Sequence, residues 1–256
     1  LFRYQGNIFL IADSDGRYLD KISIRSVIDF LFSKKYQDSW NFFYNLGYDA
    51  EVILKLLGSE LKIYKNTKEL VFNYNKYKIT YIPEKCLRIS KGHHNVSFYD
   101  IAQFYNKSSL SNAYEKNIGK LDFKYLEMKD KRQEFSPRYY NRNKKKMQSY
   151  CIEDCILTKQ LSEKWINLFN SAFGFHPKKW FSSGYLAEKV LINNKIFFPK
   201  FDSIPYKIQD LAFKSYFGGR FDMQKRGYIG TAYLYDINSA YPYAISKIPD
   251  LSNGKW

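Results

Sequence analysis

The sequence predicts an α/β fold with a mixed β-sheet flanked by helices, and three observations carry the prediction. Strand and helix periodicities alternate through the first half of the chain. Hydrophobic residues make up 45% of the 256 residues, ample for a sizeable core. A long helical stretch, residues 148–169, closes that half.

Ile8-Phe9-Leu10-Ile11-Ala12 is an apolar strand entering a tight turn at Asp15-Gly16. Ile24, Val27, Ile28 and Leu31 recur at helical spacing over residues 24–32. Residues 40–44 form a short aromatic strand. Residues 48–57 return to helix, with Val52, Ile53, Leu56 and Leu57 on one stripe and Gly58 as the stop. Residues 61–64, 69–73, 77–82, 87–90 and 96–99 read as strands, and 100–104 as the start of a helix. Residues 135–146 are polar and basic, with Pro137 and Asn143-Lys144-Lys145-Lys146, and read as an exposed loop. Past Phe173, Gly174, Pro177, Pro199 and Pro205 punctuate short segments. A boundary near residue 170 therefore divides the chain into residues 1–170 and 171–256. Residues 228–236 read as a strand and 238–248 as a turn and short helix. There is no internal repeat.

The charge is lopsided: 41 Lys+Arg against 25 Asp+Glu give a formal +16. Such an excess attracts polyanions, of which nucleic acid is the usual one, held through its phosphates. The 24 Tyr and 21 Phe offer rings on which bases stack without regard to sequence. An AT-rich coding bias also produces Lys- and Tyr-rich chains, so composition alone leaves nucleic-acid binding open. Three cysteines, Cys86, Cys151 and Cys155, are too few for a disulfide framework and point to a reducing compartment. That compartment reads as the cytoplasm of a prokaryotic or virus-infected cell. No apolar run reaches membrane-spanning length, so no membrane partner is expected. No secretory signal opens the chain, and both ends read as cut from something longer.

Three stretches carry chemistry. In Asn45-Leu46-Gly47-Tyr48-Asp49 an acid sits where a strand ends and a helix begins. Asn45 suits a helix cap and Asp49 the positive end of the helix dipole. A carboxylate at a strand's carboxyl end can also hold a divalent metal. In Tyr150-Cys151-Ile152-Glu153-Asp154, Tyr150 and Asp154 share a helical face that Leu157 and Leu161 continue inward. A carboxylate turned into a core needs a partner or a metal; a Tyr–Asp hydrogen bond is the plainer reading. The third, Tyr235-Asp236-Ile237-Asn238-Ser239-Ala240-Tyr241-Pro242, sets an Asp after an apolar strand, followed by Ser, Tyr and Pro. Upstream of it lies Tyr216-Phe217-Gly218-Gly219, whose paired glycines allow close approach of a phosphate or backbone.

Together these stretches resemble family B DNA polymerases. Residues 236–242 resemble the first palm motif, with Ala240 where Leu is usual. Residues 216–219 resemble the Y-x-G-G motif between exonuclease and palm. Residues 45–49 resemble the second exonuclease motif, an Asn followed closely by Tyr-Asp, and residues 150–154 the third, Y-x-x-x-D. Order and spacing agree over essentially the whole chain. The compact spacing, with Lys120-Leu121-Asp122-Phe123 resembling a K-x-x-apolar motif, is nearest the protein-primed branch of phages and mobile elements. The first exonuclease motif, D-x-E, is missing. Asp13-Ser14-Asp15 lies in a turn after what reads as the second strand, so the D-x-E is expected upstream of Leu1, and the later palm motifs beyond Trp256.

The resemblance implies an RNase H-like 3′–5′ exonuclease domain over 1–170, then a connecting segment and the start of an α+β palm over 171–256. It implies a DNA-directed DNA polymerase with a proofreading exonuclease, both using two-metal phosphoryl transfer with Mg²⁺ or Mn²⁺. The partners implied are primer–template DNA, a single-stranded 3′ end, dNTP and a terminal protein primer. Asp49 and Asp154 would bind metal, Tyr150 would orient the attacking water, and Lys120 would neutralise the scissile phosphate. Asn45 and Tyr48 would grip the 3′-terminal bases, while Tyr216, Gly218 and Gly219 would hold the primer–template backbone. In the palm, Asp236 would bind metal, the Ile237 backbone and Ser239 would meet the triphosphate, and Tyr241 would stack under the sugar. The chain alone is expected to be inactive. Two rival readings are a stand-alone DEDD-type exonuclease, which leaves residues 236–242 unexplained, and a degenerate module that only binds nucleic acid.

Overall fold

The computed structural model describes residues 1–56, 69–196, 204–215, 226–228, 230, 231, 233, 235, 237 and 239–248. The expected strand at 61–64, and Tyr216, Gly218, Gly219 and Asp236, lie outside the described residues. The chain divides into two compact units, Leu1–Lys195 and Ile196–Trp256.

The first unit opens with an antiparallel meander, β1 (Phe2–Tyr4), β2 (Asn7–Ala12) and β3 (Tyr18–Leu19). Gln5 and Gly6 turn β1 into β2, both at positive φ (50° and 75°), as a two-residue hairpin loop requires. The next turn is tied by Asp13, whose Oδ1 accepts from the Asp15 and Arg17 amides. Gly16 supplies its positive φ of 86°. Helix α1 (Ile24–Leu31) starts at Ser23, which exchanges hydrogen bonds with Ser26 in a capping box, and buries Val27, Ile28 and Leu31.

A five-stranded sheet follows, ordered β4 (Asn41–Phe43), β8 (His94–Asp100), β7 (Cys86–Lys91), β6 (Tyr77–Ile82), β5 (Leu70–Tyr74). β4 runs parallel to β8 and the other neighbours are antiparallel, so the sheet is mixed. The connection between β4 and the sheet's other strands includes α2 (Leu46–Leu56), which buries Leu46, Ala50, Val52, Ile53 and Leu54. These pack in one core with Ile79, Leu87, Ile89, Val96 and Phe98 of the sheet. Helices α3 (Leu110–Asn117), α4 (Phe123–Asp130) and α5 (Pro137–Arg142) lead into α6 (Lys144–Phe173). The fold is thus α/β with a mixed sheet flanked by helices, compatible with an RNase H-like exonuclease fold.

The structure departs from the sequence reading at several points. Residues 135–146 are not a loop. Ser136 accepts from the Tyr139 amide, Pro137 stands in the first turn, and Tyr140 is buried, so α5 forms. Helix α6 then starts at Lys144, its lysines being a solvated face of helix rather than a loop. Residues 102–105 close as a 3₁₀ turn only. The first compact unit runs to Lys195, since α6 continues to Phe173 and the segment beyond it completes a core. Trp180 and Leu186 pack there with Phe169, Cys86 and Tyr99. Helix α7 (Ser183–Asn193) is the last of the first unit, and in the second unit the described helices are α8 (Tyr206–Ser215) and α9 (Ala240–Lys247). Tyr228, Tyr233 and Tyr235, expected in a strand, are in none and are exposed. Among the described residues no helix is long and apolar enough to cross a membrane.

Candidate active site

One cleft of about 1170 Å³ opens at the carboxyl end of β4. Asp49, from the first turn of α2, and Asp154, from the middle of α6, both line it. The chain reaches this arrangement by local rules. Asn45 takes a left-handed φ of 62° to turn β4 into α2, which Asn tolerates better than most residues. Its amide donates to Asp100 Oδ1 (2.9 Å), as does that of Ala102 (3.0 Å). Asp100, buried at the end of β8, thereby fixes the start of the helix that carries Asp49. Replacing Asp100 with Ala is expected to leave those amides unpaired and to cost about 1–3 kcal/mol in urea unfolding.

The cleft concentrates negative charge away from water. Burial pushes the Asp49 carboxyl up to about 6, and Asp154 and Asp100 add to it. Burial likewise raises Asp154, against the opposing Arg132 guanidinium (2.9 Å from Oδ2) and the Tyr125 hydroxyl, which donates to Oδ1 at 2.7 Å. For a carboxyl whose folded pKa lies above its unfolded value, the native state binds more protons in between. Stability of the metal-free protein should therefore fall as pH rises from 3.8 to about 6. Urea melts across that window check this, and Asp49→Asn should flatten the slope.

The sequence-predicted residues fall into two groups around this cleft. Asn45, Tyr48, Asp49 and Asp154 all line it. Tyr48 carries the Arg3 guanidinium over one ring face, 3.6 Å from the centroid, which leaves the other face for a base. Tyr150 does not line it. Its ring is buried against Phe2 (5.6 Å) and Tyr125 (5.0 Å), and its hydroxyl has no hydrogen-bond partner. Lys120 is exposed in the α3–α4 connection and is not a wall of the cleft, so its placement does not support a role at the scissile phosphate. The cation that meets Asp154 is Arg132, on a 3₁₀ turn after α4. Asp13 of the D-x-D turn also faces the cleft, but Lys35 Nζ (2.7 Å) and the Tyr36 hydroxyl (2.6 Å) hold it. Burial raises its pKa, and these bonds outweigh that and keep it below the ordinary value. Ile237 and Tyr241 are exposed around the start of α9, and Ser239 precedes that helix at a left-handed φ of 57°.

Sequence reasoning missed Asp100, Tyr125 and Arg132. Asp100 had a readable signal, an acid ending a strand. Arg132 had none, since a short turn has no periodicity to place its side chain.

A family model of organellar and viral type B DNA polymerases matches residues 33–250. The chain belongs to this family. It is thereby a DNA-directed DNA polymerase, a nucleotidyltransferase of DNA replication whose partners are DNA and dNTP, and such polymerases generally use divalent metals. No curated protein and no solved structure matches the polymerase significantly. The match runs through the cleft carboxylates and through the expected palm motif alike, so a stand-alone nuclease leaves part of it unexplained. Among the described residues no group of three or more His, Cys, Asp or Glu gathers tightly enough to hold a metal ion.

Proposed function

We propose that the cleft of this polymerase is its proofreading 3′–5′ exonuclease site. The observation that carries the reading is the convergence of Asp49 and Asp154, more than a hundred residues apart in sequence, on one cleft in which both carboxyls are raised by burial. Buried like charges are costly without a cation, and a divalent metal supplies one. Asp49 and Asp154 would hold it. Bound there, Mg²⁺ or Mn²⁺ would lower the pKa of a water and offset charge on the phosphate. The remaining steps belong to the chain's own side chains. Tyr48 stacks on a frayed base and Asn45 holds its edge. Arg132 can leave Asp154 for the scissile phosphate, taking the part expected of Lys120. Tyr150, buried and with its hydroxyl unpaired in the metal-free state, would have to turn that hydroxyl to the cleft to orient the attacking water.

The palm reading extends to residues 236–241. Asp236 would hold metal, the Ile237 backbone and Ser239 would meet the triphosphate, and Tyr241 would stack on the sugar. Tyr216, Gly218 and Gly219 would guide the primer–template. On this reading residues 1–170 are the exonuclease domain, and residues 171–256 are a connecting segment and the start of the palm. A terminal protein primer and a cytoplasmic setting accompany the protein-primed branch.

Two carboxylates are half of a two-metal nuclease set, so the chain alone should bind single-stranded DNA without cutting or extending it. A 3′-labelled oligonucleotide incubated with the chain and Mg²⁺ tests this. Retention on the protein without digestion is expected. Robust metal-dependent shortening, or no binding at all, overturns the reading.

A further inference from the structure

A second cavity, of about 740 Å³, adjoins the first. The two share Tyr36, Ser39 and Trp40 as walls. The chain has three histidines, and all three, His93, His94 and His176, line this second cavity. His93 comes from the β7–β8 turn and His94 opens β8, whereas His176 comes from the segment after α6, about eighty residues on. The histidines are not gathered as metal ligands, since among the described residues no such group exists.

Trp40 is built as a platform. Its ring meets buried Trp180 edge-on (5.7 Å, 84°) and lies 5.4 Å from the His176 ring, yet it stays 39% exposed. A large ring braced from behind and open in front offers stacking area with little conformational freedom left to lose. Exposed His176 extends that aromatic surface, and exposed Lys178 and Asn95 add a cation and amide groups to the rim. Asp38 is the acid among the walls and disfavours an anion at its own end. Aromatic faces, imidazoles and a lysine in one groove are the chemistry that holds single-stranded nucleic acid, by stacking bases and pairing phosphates.

We propose that this second cavity is a single-stranded DNA subsite, in which Trp40 and His176 stack bases and Lys178 meets a phosphate of the strand whose 3′ end occupies the Asp49–Asp154 cleft. The inference rests on the reading of that cleft as the 3′-end site. Its function would be to capture strand several nucleotides from the end and so favour longer frayed ends over short ones.

Fluorescence anisotropy on this chain tests the subsite, with trithymidylate, dodecathymidylate and a blunt duplex as probes in Ca²⁺. The variants are His176→Ala combined with Lys178→Ala, and separately Trp40→Leu, which keeps apolar bulk but removes the ring. Loss of stacking should weaken dodecathymidylate binding roughly 5- to 150-fold in both variants, and the His176/Lys178 double variant, whose residues do not line the first cleft, should leave trithymidylate binding within about twofold. Unchanged dodecathymidylate affinity in the exposed-residue double variant overturns the subsite. So does an equal loss for both oligonucleotides in that variant, or a preference for the duplex. Failure of the 3′-end reading shows elsewhere, as trithymidylate binding that ignores Asp49→Asn and Asp154→Asn while the length-dependent effects persist.

Discussion

In an active polymerase that contains this chain, Asp49→Ala or Asp154→Ala is expected to abolish 3′-end digestion and leave primer extension in place. A metal clamp on the reacting phosphate contributes several kcal/mol, and each 1.36 kcal/mol is a factor of ten in rate. Loss of either ligand should therefore slow digestion by about 10²- to 10³-fold or more. Extension should survive because both carboxylates sit in the first compact unit, whereas the palm-like stretch belongs to the second. Folding should survive too. The Asp49 carboxyl is raised to about 6 by burial, so its ionised form works against the metal-free fold, and Asp49→Asn should stabilise that state at neutral pH. Assays of single-nucleotide release and of primer extension on the same preparations separate the activities. Loss of both together would contradict the division of labour.

The largest effect on stability is expected from Trp180→Ala, at about 3–5 kcal/mol. Trp180 is fully buried and meets Trp40, Phe42 and Phe169 at ring distances of 5.7, 6.4 and 5.5 Å. It ties the end of α6 to the outer strand of the mixed sheet, so its removal leaves a cavity that several aromatic rings cannot fill without moving. For a unit of this size the loss corresponds to a melting point lower by roughly 6–20 °C. Trp180→Phe should cost much less, because the indole N–H is buried without a hydrogen-bond partner and the replacement has no donor to satisfy. Thermal melts followed by circular dichroism distinguish the two. A shift of under about 2 °C for the alanine variant would contradict the assigned core.

The parts of this molecule that were legible in its sequence are those governed by local rules. The stripe of Val27, Ile28 and Leu31, the apolar strand of β2 and the alternation that builds β6 to β8 all follow from side-chain period. Asp49 and Asp154 were legible as motif positions, and both line one cleft. What stayed hidden depends on tertiary pairing. β1 and β3 are too short to show a period, and they persist because β2 lies between them. Helix α5 is concealed by its polar surface, and Tyr140 alone faces inward. Arg132 reaches Asp154 from a turn, and Asp100 acts through the backbone amides of Asn45 at the β4–α2 turn and of Ala102 just past its own strand, a role that no spacing announces. The edge-on contact of exposed Trp40 with buried Trp180, across more than a hundred residues, is likewise a product of the fold.

The most direct test is anomalous diffraction from crystals of an active polymerase that contains this chain, soaked in Mn²⁺. The account predicts a manganese peak within bonding distance of both the Asp49 and the Asp154 carboxylates, and its disappearance in Asp49→Asn. A metal bound by neither, or an Asp154 that keeps its bonds to Arg132 and Tyr125 while manganese sits elsewhere in the unit, would contradict it.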